Sequence, residues 1–265
     1  MVMDRPIQQL NEYNPENIVF PVYAQVKLDG IFGRWDCIDK CFYTRDGNRI
    51  KGLSVLEAEL SEIEGCDLDG ELVIPDLDFF TMNGKIRSGE ETPDCMYYVF
   101  DTVPHGKAYD YELRVYSYMS LTQTTHVHPV KIHVIRSLEE ADAFYEKVLA
   151  RGYEGVVYKS PAAFYTDGKH DHAVKRVPIK SCECTVLSAY EGKGKLSGML
   201  GGFVVDFQGV PVKVGGGPGI DYAKRKEMWE NQHRYIGKLM KCTYKSLTPG
   251  GSMRSPQMLG LRWDI

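Results

Sequence analysis

The rhythm of apolar and polar positions changes several times along the chain, and each change marks an element. Tyr23-Ala24-Gln25-Val26 leads into Lys27, and Asp29-Gly30 follows, so residues 22–27 are expected to form a strand that delivers a lysine to a tight turn. The glycine lets another group approach the backbone closely. One further strand is expected over 33–44, where Trp35, Cys37 and Ile38 stand among β-formers and Asp46-Gly47 turns the chain. Val55, Leu56, Ala58, Leu60 and Ile63 recur at helical spacing and predict a helix over 54–63. Strands are expected at 68–74 and 96–101. Ser137 and Glu140 form a capping box ahead of Ala141, Phe144, Tyr145 and Leu149, which predicts a helix closed by Gly152. Residues 153–159 read as a strand whose alternation puts Glu154, Val156 and Tyr158 on one face, Val157 and Lys159 on the other.

Near Ser181 the pattern shifts to short apolar runs at 184–187, 203–207 and 210–214, punctuated by glycines. A helix is expected at about 222–231 and a strand at 238–244. Short strands with many glycine turns predict a small barrel or sandwich, and its size is that of an oligonucleotide-binding (OB) barrel. The expected architecture is α+β, with a larger domain over 1–180 and a compact β-barrel over 181–265.

Composition adds two constraints. The net charge of −4 is unevenly spread: residues 1–180 carry 20 Lys+Arg against 29 Asp+Glu, a net −9, while 181–265 carry 12 against 7, a net +5. An acidic first part suits divalent metal ions and a basic second part suits phosphates. The seven cysteines lack any CxxC pair and read as reduced cytosolic thiols. Cys37, Cys41, Cys182 and Cys184 do not have the spacing of a standard zinc ligand pair. No apolar run approaches the ~18 residues of a membrane span, and the N-terminus has no signal-peptide pattern, so a cytoplasmic location is expected.

The chemistry starts from Lys27, because a lysine becomes a nucleophile only where its surroundings activate it. Asp69-Gly70-Glu71 sets carboxylates around a glycine, Tyr97-Tyr98-Val99-Phe100-Asp101 sets an aromatic beside a carboxylate, and Glu154–Lys159 ends on a second lysine. Lys175, Arg176 and Lys180 follow as a basic group. The turn Gly192-Lys193-Gly194-Lys195 reads as a hairpin that can also meet phosphates. Gly215-Gly216-Gly217 lacks the strand and helix context of a phosphate loop and reads as a turn. His170-Asp171-His172 reads as a polar loop rather than a metal site.

In this order the segments resemble the signature of the covalent nucleotidyltransferases, which include ATP-dependent DNA ligases, RNA ligases and capping guanylyltransferases. Lys27-Leu28-Asp29-Gly30 resembles the family's first motif, whose lysine forms the nucleotide phosphoramidate. Thr44-Arg45-Asp46-Gly47, Asp69–Glu71, Phe100-Asp101, Glu154–Lys159 and Lys175 resemble the later motifs. Residues 246–254, with Arg262 and Asp264, resemble the end of the barrel in minimal ATP-dependent DNA ligases. The resemblance implies an adenylation domain of antiparallel sheets with flanking helices, followed by an OB barrel. It implies a monomer acting on ATP and nicked duplex DNA with Mg²⁺ or Mn²⁺. Lys27 would carry AMP, and Arg34, Glu71, Phe100, Lys159, Lys175 and Lys180 would bind the nucleotide, with Phe100 stacking on adenine. Glu71 and Glu154 would hold the metal. Asp29, Arg45, Lys193, Lys195, Arg254 and Arg262 would meet DNA, with Arg45 on the 5′-phosphate. Only about 26 residues precede Lys27, which points to the minimal viral or bacterial kind.

Two positions depart from the pattern. Phe32 stands where the first motif has arginine, and Arg34, two residues on, is a candidate substitute. Val177 stands where the last motif has a second lysine, and Arg176 or Lys180 is a candidate for that charge. RNA ligase is the nearest alternative, a GTP-charging guanylyltransferase a weaker one. A non-catalytic barrel fused to a degenerate nucleotide-binding domain is an alternative of a different class.

Overall fold

The computed structural model describes residues 6–120, 123–217 and 219–261, and the chain divides into two compact units, Met1–Val177 and Pro178–Ile265. The first unit runs β1 (Gln8–Glu12), β2 (Val22–Lys27), β3 (Ile31–Asp36), β4 (Cys41–Tyr43), β5 (Arg49–Ile50), α1 (Ser54–Glu59), β6 (Cys66–Val73) and α2 (Phe79–Ser88). It continues with β7 (Met96–Pro104), α3 (Tyr111–Met119), β8 (Val127–Pro129), β9 (His133–Ile135), α4 (Leu138–Ala150), β10 (Gly155–Lys159) and β11 (Gly168–Arg176). Two sheets result, one ordered β5-β4-β3-β6-β7-β8 and one ordered β1-β11-β10-β2-β9.

Each sheet has its own core. Trp35, Phe42, Leu68, Leu72, Tyr97 and Val99 pack with α1, α2 and α3 residues behind the six-stranded sheet. Val22, Ala24, Val156, Tyr158 and Val174 pack against Ala141, Tyr145 and Val148 of α4 behind the five-stranded one. Ser137 caps α4 as its sequence predicts, accepting from the Glu140 N–H at 3.2 Å. The Glu140 carboxylate reaches back to the Arg136 N–H at 2.8 Å, one residue before the position a capping box uses.

Residues 33–44 form two strands rather than one. The Asp36 carboxylate accepts from the N–H groups of Ile38 and Asp39, both at 2.9 Å, and Lys40 adopts a left-handed φ of 51°, so the chain folds back as a hairpin. The helix expected over 54–63 ends at Glu59, with Leu60 as its C-cap. Two helices carry weaker periodicity but clear caps: Asp78 accepts from Phe80 and Thr81 N–H at the start of α2, and Asp110 from Leu113 N–H at the start of α3.

The second unit contains β12 (Lys180–Glu191), β13 (Leu200–Phe207), β14 (Val210–Gly215), α5 (Tyr222–Glu230), β15 (Leu239–Tyr244), β16 (Ser246–Leu247), β17 (Met253–Arg254) and β18 (Gln257–Leu261). Strands β12, β13, β14, β18 and β15 close a barrel around Phe203, Val205, Val214, Met240 and Met258, and β16 pairs with β17. No helix among the described residues is long and apolar enough to cross a membrane.

Candidate active site

Pairing between β2, β10 and β11 decides which side chains meet. Val157 lies opposite both Gln25 and Lys175, so strand alternation puts Gln25, Lys27, Lys159 and Lys175 on one face of the five-stranded sheet. The opposite face is the apolar one that α4 covers. The Lys27 Nζ is 2.5 Å from Glu154 Oε2. That contact corrects the expected alternation: β10 begins at Gly155, so Glu154 lies outside it and turns toward Lys27, while Val156 and Tyr158 enter the core.

Glu71 joins from the other sheet. It lies opposite Phe32 on the β3–β6 ladder, and its Oε1 accepts from the Gly30 N–H at 3.1 Å. A Cβ on Gly30 would come within 2.5 Å of the Leu72 carbonyl oxygen and 2.6 Å of Glu71 Cγ, so glycine is what allows this approach. Burial, with the Glu154 charge adding to it, pushes the Glu71 carboxyl up to about 7, against the opposing pull of Lys27 and Arg45. Two carboxylates, one amine and one guanidinium thus share a single electrostatic neighbourhood.

Aromatic rings wall the same space. The Phe100 and Phe32 centroids are 6.3 Å apart, and the Arg45 guanidinium lies 4.9 Å from the Phe32 ring centroid. Gln25, which sequence reading passed over, donates to the Phe100 carbonyl at 3.2 Å and to the Tyr118 hydroxyl at 2.9 Å. The signal was there, since Gln25 is two residues before Lys27 on a strand and shares its face.

Arg34 is not brought to this site. Asp69 and Asp101 lie directly opposite each other on β6 and β7, an arrangement of like charges that costs stability unless cations offset it. Arg34, fully buried, supplies one offset, with Nε at 2.7 Å and Nη2 at 2.9 Å from the Asp69 carboxylate. Its remaining contacts are the Pro6 carbonyl at 2.9 Å and the Tyr165 hydroxyl at 2.6 Å. Its guanidinium is thereby committed to the interior, and it does not substitute for the arginine expected at Phe32. Arg114 and Lys159 supply the second offset, reaching Asp101 at 2.8 Å and 2.7 Å. Burial pushes the Lys159 ammonium down in pKa while Asp101 pulls the other way. Its Nζ also stands 5.4 Å from the Phe100 ring centroid.

The remaining expected residues divide as follows. Lys175 faces the Lys27 side of its sheet and pairs with Glu12 at 3.0 Å. Arg176 points to the other face, pairs with Asp142 at 2.6 Å and lies over the Tyr13 and Tyr145 rings, so it does not supply the charge expected at Val177. Asp29 is exposed two residues beyond Lys27, and Arg45 is exposed over the Phe32 ring. Lys180 opens β12 in the second unit, exposed, as are Lys193 and Lys195 in the connection between β12 and β13. Arg254 is half-buried on β17, and Arg262 lies outside the described residues.

Residues 8–176 match the family model of the ATP dependent DNA ligase domain, and residues 191–262 match that of the DNA ligase OB-like domain. The chain is 25% identical to the DNA ligase of Enterobacteria phage T4 over 315 residues, covering 91% of this chain and 64% of the phage protein. It therefore spans just under two thirds of the phage relatives' length. The Haemophilus influenzae DNA ligase is 24% identical over 249 residues, with 92% of this chain and 88% of the relative covered. Among solved structures, a Lig E DNA ligase superposes with a TM-score of 0.81 at 24% identity over 98% of this chain and all of the other. The Chlorella virus DNA ligase-adenylate gives 0.57 at 25% identity over the whole of both chains.

Proposed function

The chain belongs to the ATP-dependent DNA ligase family, and on that premise we propose that it seals nicks in duplex DNA through a lysyl-AMP intermediate on Lys27. The observation that carries this reading is the ion pair of Lys27 and Glu154 at 2.5 Å, set between two sheets with Glu71, Phe100 and Arg45 around it. An amine so placed has neighbours suited to each part of a nucleotide: rings for the base, carboxylates for the ribose or a metal, cations for the phosphates.

In the proposed reaction the Lys27 Nζ separates from Glu154, loses its proton and attacks the α-phosphorus of ATP. The N–P bond forms as the bond to pyrophosphate breaks. AMP then passes from Lys27 to the 5′-phosphate of a nick, and the 3′-hydroxyl attacks that phosphorus, forming the phosphodiester and releasing AMP. Phe100 packs on the adenine. Lys159 and Lys175 oppose charge that develops on phosphate oxygens, where fixed cations lower the barrier most. Arg45, held over the Phe32 ring, offers a bidentate grip on the 5′-phosphate.

Mg²⁺ or Mn²⁺ fits this donor set. Glu71 and Glu154 are oxygen ligands close enough for the Glu154 charge to help hold the Glu71 carboxyl up, which is the environment a hard dication relieves. Bound there, such an ion would neutralise phosphate charge and free Lys27 from its carboxylate partner.

The test uses ATP labelled at the α-phosphate together with Mg²⁺, followed by denaturation and acid treatment. Acid-labile label on the wild type and none on Lys27→Ala is the expected result. A wild type that takes no label, or a Lys27→Ala variant that labels equally, overturns the proposal. Sealing of nicked DNA and of nicked RNA by the labelled protein then reports the strand preference.

A further inference from the structure

A second group of chemically active side chains stands at the other end of the same central strands. β3 ends at Asp36 and runs straight into Cys37, β6 begins Cys66-Asp67, and β7 ends at Pro104 just before His105. Because β3, β6 and β7 are neighbours in the sheet, these three strand ends bring together residues separated by 30 and 38 positions in the chain. The Cys37 sulfur, an Asp67 carboxylate oxygen and a His105 ring nitrogen all lie within 4.8 Å of one another. The sulfur is 3.9 Å from His105 Nδ1, and His105 Nε2 is 3.0 Å from Asp67 Oδ1. The same Asp67 oxygen accepts from the Cys37 N–H at 3.2 Å, and the His105 N–H donates to the Gly65 carbonyl at 3.0 Å, so backbone contacts fix two of the three donors.

We propose that Cys37, Asp67 and His105 form a binding site for a borderline-soft divalent cation, Zn²⁺ by donor chemistry, separate from the nucleotide site. One thiolate, one imidazole and one carboxylate suit zinc, which takes S, N and O ligands at about 2.0–2.3 Å in a tetrahedron. Bonds of that length put donor atoms about 3.3–3.5 Å apart. Nδ1 faces the sulfur and Nε2 faces Asp67, and one ion takes a single ring nitrogen. The His105 ring, at the rim with 29% of its side chain exposed, must therefore turn as the sulfur contact closes by a few tenths of an ångström and the carboxylate contact opens by about as much. Asp67 is fully buried and Cys37 nearly so, which keeps water from competing for them. A water molecule would take the fourth position. Binding forms the metal–sulfur bond and releases the Cys37 thiol proton to solvent.

The site lies four residues from Glu71 along β6, about 13 Å at strand rise, so an ion there does not touch the proposed phosphate chemistry. Its effect is mechanical. It ties the ends of β3, β6 and β7, the strands that carry Phe32, Glu71 and Phe100.

Co²⁺ serves as the spectroscopic probe, titrated into the full chain after treatment with chelator and reductant. One equivalent is expected to produce a sulfur-to-cobalt charge-transfer band in the near ultraviolet with intense visible bands of a tetrahedral ion, both displaced by Zn²⁺. Cys37→Ser is expected to abolish the charge-transfer band, His105→Asn to weaken binding about tenfold or more, and Cys182→Ser to leave both unchanged. Zn²⁺ is expected to raise the melting temperature of the wild type but not of Cys37→Ser, and circular dichroism of His105→Asn checks that the rim variant is folded. Absence of the charge-transfer band in the wild type, its survival in Cys37→Ser, or its loss in Cys182→Ser overturns the site.

Discussion

Lys27 and Arg34 are seven positions apart, and the fold gives them opposite tasks. Lys27 ends its strand at a glycine turn and stays partly exposed beside Glu154, whereas Arg34 points inward to a carboxylate that would otherwise oppose another. The distinction is electrostatic: an amine that must attack has to be able to leave its partner, and Glu154 is a half-buried partner that a metal can take over. Arg34 has no such release, since every nitrogen of its guanidinium already donates. Removing one member of a buried pair leaves the other charge uncompensated, at a cost of about 3–5 kcal/mol. Arg34→Met is therefore expected to lower the unfolding free energy measured in urea by that amount, moving the midpoint down, while Lys27 labelling, measured on protein that remains folded, keeps its ATP dependence. A variant that unfolds at the wild-type midpoint but needs far more ATP would return Arg34 to the nucleotide. Phe32 then has a role of its own, as the ring on which Arg45 rests.

At the scale of elements, much of the architecture was legible because each signal was local. Ser137 and Glu140 announce α4, Asp46-Gly47 announces a turn, and the strand leading to Lys27 begins and ends where its apolar pattern does. Ser137→Ala should cost about 1 kcal/mol by thermal or chemical unfolding, the usual worth of an N-cap side chain. An unchanged stability would mean that packing of Ala141, Tyr145 and Val148 alone holds the helix. What sequence could not supply was side-chain direction at strand ends and partners distant in the chain. Glu154 sits one residue outside β10, so alternation assigned it to the wrong face. Asp36 turns the chain through two hydrogen bonds that β-propensity does not register, and this hid the hairpin inside 33–44. Arg34 looked like a ligand because its partner Asp69 is 35 positions away, and the proximity of Cys37 to His105, 68 positions away, leaves no local sign in the sequence.

Across the whole molecule the division of charge follows the division of the chain. The acidic first part carries the carboxylates around Lys27, and residues 181–265, with their net +5, form the barrel. If that barrel meets duplex phosphates, as the family resemblance implies, binding to nicked DNA must weaken steeply with salt, because each neutralised phosphate releases condensed counterions. Replacing both Lys193 and Lys195 by alanine is expected to reduce the slope of log affinity against log salt by about 1–2, as counterion release from one or two phosphates requires. A slope identical to the wild type would remove the β12–β13 connection from the DNA-binding surface.

The pairing of Asp101 with two buried cations has a consequence for how this sequence can vary. Asp101 answers Arg114 and Lys159 together, Asp69 answers Arg34, and the Tyr165 ring stands between the two guanidinium groups at 5.7 Å and 5.5 Å. These residues form one linked set drawn from β3, β6, β7, α3, β10 and the loop before β11. Neutralising Arg34, Asp69 or Asp101 strands a charge that the others cannot absorb. Neutral drift is therefore closed to them one at a time and open only to joint replacement. Anyone recombining this chain with a relative should exchange the six positions as a block, or leave them alone.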